Sequence, residues 1–383
     1  MIHGPVLTDC LRLQRANTNL GSSASWTADY TDFYSGGALF LTPPFSEATL
    51  VYAMYCDGGS WAGNAKDPVV AAPNSSAPAQ QIYYRGRPLL DALYDHLLSA
   101  GGLATASELL FAGCSAGALT VYMHADYISG RMPSSVKTVA LADAMFSIDT
   151  PNFQGVRAFP QKMSWVFAAM NCSASVNQAC LAANSNGTAC MFGANVAPFI
   201  TTPTFVLNSK YDTWQAGGII GAGTCGKNIT GCSTDLQKFW AGYGSRMVSM
   251  LQSLPPQHGG FLSNCQAHCQ AGTCSWAGHQ AGAAVHPSCG PYPRTGLTVD
   301  GMQMGQAFTT WYNASMVALA LSSSSSGGGG SGGGGGGSSG SSDTGTANGR
   351  GWDHHSAATY RYIETCDIHT CGSDGRGRPG QCL

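Results

Sequence analysis

The order of apolar and polar positions predicts a chain of alternating strands and helices. Short apolar runs at 50–55, 108–112, 137–142 and 203–208 have the length and punctuation of buried strands. Helices are predicted over 88–98, where Gly101-Gly102 supplies the stop, over 118–128, over 235–254 and over 305–321. Residues 150–200 are rich in small residues and show little periodicity. They suggest a cap over a pocket, with Trp165, Phe167 and Met170 as lining or as ordinary core. Residues 322–340 are almost pure Ser and Gly, a composition that buries no apolar surface and behaves as a flexible linker. The expected organisation is one domain over 1–321, a linker over 322–349 and a short Cys-rich tail over 350–383.

The strand at 108–112 and the helix at 118–128 flank Gly113-Cys114-Ser115-Ala116-Gly117. G-x-S-x-G alone is common, and its plain alternative is a Gly/Ser loop in a β-α unit. Between a strand and a helix it describes a nucleophile elbow, where a sharp turn lifts a serine hydroxyl clear of the sheet. Ser115 is therefore the candidate nucleophile. The N–H of Ala116, at the helix start, is a candidate oxyanion donor.

Such a serine needs a base and an acid, which follow it in that fold in the order acid, then histidine. Asp212 lies just past the 203–208 strand, where open α/β sheets place functional groups. His268 follows in Cys265-Gln266-Ala267-His268-Cys269, between cysteines able to fix its loop if bridged. The expected triad is Ser115, Asp212 and His268. Asp143, after the 137–142 strand, is the rival acid or a support for the elbow. His258, His279 and His286 are rival bases, each read as a surface histidine, while His124 and Asp126 are read as structural. The Cys265, His268, Cys269 and Cys274 spacing lacks paired C-x-x-C ligands, and His354, His355 and His369 read as solvated. No metal and no cofactor are expected.

Several segments together resemble the pectin acetylesterase family, which includes the Notum-type carboxylesterases, and most closely its plant branch. They are Tyr55-Cys56-Asp57-Gly58-Gly59-Ser60, Tyr84-Arg85-Gly86, Gly113 to Gly117, Asn208 to Gln215, Cys265 to Gln270, and Trp311-Tyr312, with Cys366 and Cys371 similar to the family's Cys-rich end. The resemblance covers roughly residues 10–321. It implies an α/β-hydrolase-like doubly wound sheet and a secreted serine esterase that removes acetyl groups from pectin in the cell wall. It carries nucleophile, acid and base to Ser115, Asp212 and His268. The family's Gly-rich oxyanion segment would precede Cys10, so the chain is expected to lack its N-terminal strands. Gly58 and Gly59 align elsewhere and are expected to be loop rather than donors. A Notum-type protein-lipid deacylase and a non-catalytic carbohydrate-binding relative are the alternatives.

Composition narrows the partners. The chain has 383 residues, 18 basic and 20 acidic. With no basic stripe, nucleic acid is not expected, and no apolar run reaches membrane-span length. Fifteen cysteines and sequons at Asn74, Asn171, Asn186, Asn228 and Asn313 suggest an oxidising, extracellular setting. The opening residues do not read as a signal peptide. Local disulfide loops are expected among Cys172, Cys180 and Cys190, between Cys225 and Cys232, and among Cys265, Cys269, Cys274 and Cys289. One cysteine of the odd count is left over. Cys114 is a candidate because a small free thiol packs well in the turn. Cys10 is the other, because the resemblance puts its partner in the missing N-terminus.

Overall fold

The computed structural model describes residues 39, 44–71, 80–227, 229–271, 298–299, 301–325 and 360–364. A hairpin of β1 (Val69–Ala71) and β2 (Gln80–Ile82) leads into α1 (Gly86–Ser99). The core unit follows as β3 (Glu108–Cys114), α2 (Ala116–Arg131) and β4 (Lys137–Asp143). After α3 (Ala158–Ala169) come β5 (Thr204–Ser209), α4 (Thr234–Gln252) and β6 (Gly259–Ser263). A two-residue hairpin, β7 (Thr298–Val299) and β8 (Met302–Gln303), precedes α5 (Met304–Ser325), and β9 (Arg361–Ile363) is the last strand.

The five central strands run parallel in the order β3-β4-β5-β6-β9. Parallel strands need crossovers, and the crossovers cover both faces of the sheet. Strand periodicity then decides which side chain meets which layer. Ala140, Ala142, Val206 and Leu262 face a core built with Val121 and Tyr122 of α2 and Trp240, Met247 and Leu251 of α4. The intervening Val139, Leu141, Phe205, Leu207 and Phe261 face Phe308 and Trp311 of α5. This is the α/β-hydrolase-like, doubly wound sheet expected from the sequence.

Two departures bear on the site. β6 begins with Gly259-Gly260, a stretch where the sequence predicts no strand. A Cβ on Gly259 would stand 2.6 Å from both Phe205 and Trp311, and one on Gly260 2.7 Å from Leu251. These glycines are packing sites, where helices on opposite faces press on one strand. β9 comes from the segment read as a separate tail. Its Arg361 donates to the Leu254 and Pro255 carbonyls, and Glu364 receives Lys210 Nζ through its carbonyl at 2.7 Å.

The strand expected at 50–55 is not present. That segment has no regular structure, and Leu50, Val51 and Tyr52 are exposed. β propensity yields a strand only where a ladder partner is available, and none of the described strands pairs with it. Within 150–200, Trp165 and Met170 are buried in the core and Phe167 is half-buried against Gly187. The core reading of these residues therefore holds.

Candidate active site

β3 ends in a turn that only its own sequence tolerates. Ser115 has φ 58° and ψ −117°, a conformation costing a non-glycine residue about 1–3 kcal/mol. A Cβ at position 113 would lie 2.3 Å from the Gly117 carbonyl oxygen, so glycine there is obligatory. The Ser115 N–H donates to the Asp143 carbonyl at 2.9 Å, which anchors the turn to the neighbouring strand. Ala116 opens α2 directly behind the serine.

The acid comes from the end of β5. Asp212 is 1% exposed, and its Oδ1 accepts the N–H groups of Trp214 and Gln215, both at 2.9 Å. The histidine comes from the loop after β6, held beside the Asp212 turn by Thr213 N–H donating to the Ala267 carbonyl at 3.2 Å. His268 Nδ1 lies 2.8 Å from Asp212 Oδ2 and 3.0 Å from Oδ1. A carboxylate only accepts, so Nδ1 carries the proton and Nε2 is the acceptor. Ser115 Oγ donates to that Nε2 at 2.8 Å. Three strand ends thus bring Ser115, His268 and Asp212 into one hydrogen-bonded relay.

The histidine loop is fixed at two more points, one on β3 and one on β4. A disulfide joins Cys114, one residue before the serine, to Cys269, one residue after the histidine. This overturns the expectation of a free Cys114. Small size suits the turn, but the thiol also faces the incoming loop, a long-range contact that local spacing does not encode. The second fixture is Asp143, whose Oδ2 accepts Gln270 N–H and Ala271 N–H, both at 2.7 Å. Burial pushes its carboxyl up to about 7, against the lowering effect of those two N–H groups and His268. Among the described residues Asp143 makes no hydrogen bond to the imidazole and serves the backbone instead.

The rival histidines are settled by burial where they are described. His258 is not a surface group: it is 1% exposed, its Nδ1 accepts from Thr204 N–H at 3.2 Å, and its Nε2 meets the Ile200 carbonyl at 3.0 Å. Burial lowers it to about 4 and keeps it neutral. The two glycines after it suggested a surface position, but they are the buried start of β6. His124 is likewise buried, with Nε2 3.1 Å from the Trp61 carbonyl, and burial lowers it to about 3. Asp126 holds Thr201 and Thr202. His279, His286, His354, His355, His369, Cys10, Cys274, Cys289, Cys366 and Cys371 lie outside the described residues.

Cys180–Cys190 and Cys225–Cys232 are disulfides, and Cys265 is disulfide-bonded, while Cys172 is a buried free thiol. In the Asp57–Trp61 loop the N–H of Trp61 donates to Asp57 Oδ1 at 3.2 Å, and Gly59 N–H bonds the same carboxylate. Gly59 thus turns inward, as loop rather than as an oxyanion donor. Among the described residues no group of three His, Cys, Asp or Glu side chains is arranged to hold a metal. Sequence reasoning gave Trp214 no role. It is 41% exposed, and its ring stacks beside that of His268 with centroids 6.2 Å apart at 23°.

Fold and relay together define the class: an α/β-hydrolase-like protein with a serine, a histidine and an aspartate at the carboxyl ends of its strands. Residues 5–287 match the family described as Pectinacetylesterase, and the chain belongs to that family of carboxylic ester hydrolases. It is 31% identical to pectin acetylesterase 7 of Arabidopsis thaliana over 278 residues, 69% of this chain and 68% of that one. It is 26% identical to pectin acetylesterase 11 of the same plant, over 78% of this chain and 74% of that one. Among solved structures, the Wnt deacylase Notum from Drosophila superposes with a TM-score of 0.63 at 17% identity, covering 81% of each chain.

Proposed function

We propose that this protein removes acetyl groups from pectin through an acetyl-enzyme, with Ser115 as nucleophile, His268 as base and Asp212 as acid. The observation that carries the reading is the relay from Ser115 Oγ to His268 Nε2 and from Nδ1 to Asp212. Ser115 attacks the acetyl carbonyl while His268 Nε2 takes its proton. The tetrahedral oxyanion is held by Ala116 N–H at the start of α2. His268 then gives the proton to the departing sugar hydroxyl, leaving acetate esterified to Ser115. A water, deprotonated by the same Nε2, attacks that ester and restores the serine. Asp212 keeps the productive tautomer of His268 and balances the imidazolium.

The polysaccharide substrate is supported by the family match and the Arabidopsis relatives. Secretion into the cell wall is supported by disulfides at Cys114–Cys269, Cys180–Cys190 and Cys225–Cys232 and by exposed sequon asparagines at 171, 186 and 313. Asn74 and Asn228 lie outside the described residues. No helix among the described residues is long and apolar enough to cross a membrane. The test is acetate release from acetylated pectin, with Ser115→Ala as control. Release that falls about 10⁴-fold or more in the variant supports the reading. A folded wild type that cleaves long-chain acyl esters and spares acetylated pectin overturns it in favour of the lipid-deacylase alternative.

A further inference from the structure

Trp214 is exposed beside a half-buried Ser115 and His268 and a buried Asp212. Its backbone N–H caps into Asp212, its ring stacks beside His268, and its edge meets Phe159 at a centroid distance of 5.5 Å. The ring is thus held on two sides, yet the residue remains 41% exposed. Burying an indole is favourable, so a ring left exposed beside Ser115 and His268 gains by covering a flat substrate face.

The chain keeps this ring uncovered. Residues 216–220 form a single π-helical turn, a rare element concentrated at functional sites. Gly217 and Gly218 on that turn are both exposed. Neither has the positive φ that requires glycine, so backbone conformation does not explain them. Space does at 218: a Cβ there would stand 3.1, 3.2 and 3.3 Å from three atoms of the indole six-membered ring. A Cβ at 217 would meet nothing within 4 Å. Any side chain at 218 would thus lie on the ring that the glycine leaves bare.

We propose that Trp214, with the bare Gly217-Gly218 surface, is a sugar-stacking platform that seats the pyranose ring carrying the ester beside Ser115. The inference rests on the reading of an acetylated polysaccharide as substrate. A pyranose presents a face of axial C–H groups, weakly positive, that matches the negative face of an aromatic ring. It also fits a flat glycine surface without steric loss. Stacking on the sugar, rather than gripping the small acetyl group, lets binding energy from the non-reacting part of the substrate orient the ester on the serine.

The test uses Ser115→Ala, which binds without turnover, and a partly acetylated oligogalacturonide and its saponified counterpart as probes. Affinity is read by calorimetry and indole fluorescence, and acetate release by the wild type is measured in parallel. A platform predicts that both probes bind and quench fluorescence. It predicts at least tenfold weaker binding when Trp214→Ala is added to Ser115→Ala. Gly218→Ala, which keeps the indole and puts a methyl group on it, is expected to weaken binding at least threefold with unchanged circular dichroism. Affinities within twofold of the Ser115→Ala parent in both variants overturn the platform, even if the wild type releases acetate. Trp214-dependent oligosaccharide binding in a protein that releases no acetate upholds the platform and sinks the acetylesterase reading. No binding by Ser115→Ala beside an active wild type overturns the platform alone.

Discussion

The carboxyl ends of β4 and β5 are adjacent in the sheet, and each delivers a buried aspartate to the same histidine loop. Asp143 and Asp212 are each 1% exposed, and each accepts two backbone N–H groups on one oxygen. They differ in what the second oxygen meets. Asp212 Oδ2 receives the His268 Nδ1–H, whereas Asp143 Oδ1 has no hydrogen-bond partner among the described residues. A carboxylate that completes an imidazole acts on the proton balance of the relay. One that grips only backbone acts on where the loop sits. Residue type and position at a strand end do not separate the two roles, but the partner of the free oxygen does.

The same isosteric change should therefore have outcomes of very different size at the two sites. Asp212→Asn presents an amide N–H to His268, so Nδ1 must become the acceptor and Nε2 the donor. Ser115 then loses its base, and kcat is expected to fall about 10⁴-fold. Acetate release by the folded variant checks this.

Next in size is the covalent fixture. Cys114→Ser with Cys269→Ser removes a cross-link spanning 155 residues. It is expected to cost about 2–5 kcal/mol in a denaturant titration, with a loss of kcat as the histidine loop loosens. A variant as stable and as active as the wild type would leave Asp143 as the effective anchor.

Asp143→Asn keeps an acceptor oxygen for Gln270 and Ala271 and removes a buried charge. The expected loss in kcat is less than about tenfold. A larger loss would move Asp143 from loop anchor into the proton balance.

The smallest effect lies in the pH dependence of stability. Asp143, raised to about 7, and Asp57, raised to about 6, bind protons more tightly folded than unfolded, so their contribution is lost as pH rises through those values. His124 and His258, lowered to about 3 and about 4, do the reverse: their contribution is present above the unfolded value and lost as pH falls. Between about pH 4.5 and 6 the two pairs oppose each other, and wild-type stability should be nearly flat. Asp143→Asn removes one opposing proton. Stability should then rise with pH across that window, by at most about 1.4 kcal/mol per unit. Thermal midpoints at four pH values are sufficient to see it.

The elements that position the serine and the acid were legible because each is local. The elbow is five consecutive residues between a strand and a helix, and the acid follows a continuous apolar run. What stayed hidden is long-range. Gly259-Gly260 carries no strand pattern and becomes part of one where Trp311 and Leu251 press on it from opposite faces. Arg361–Ile363 has no pattern of its own and becomes a strand because β6 offers an edge. Cys114 was paired across 155 residues, and His258 looked solvated because its partners, Ile200 and Thr204, are distant in sequence. Trp214 lies within the Asn208–Gln215 segment, but its exposure beside His268 depends on a glycine turn that only the fold displays.

The most direct single measurement is kcat/KM for acetate release from acetylated pectin by Asp212→Asn and Asp143→Asn side by side, with both variants shown to be folded. The predicted result is a gap of at least about 10³-fold, with Asp212→Asn nearly inactive and Asp143→Asn within about tenfold of the wild type. Equal losses, or a greater loss at Asp143, would contradict the assignment of Asp212 as the acid that orients His268 for Ser115.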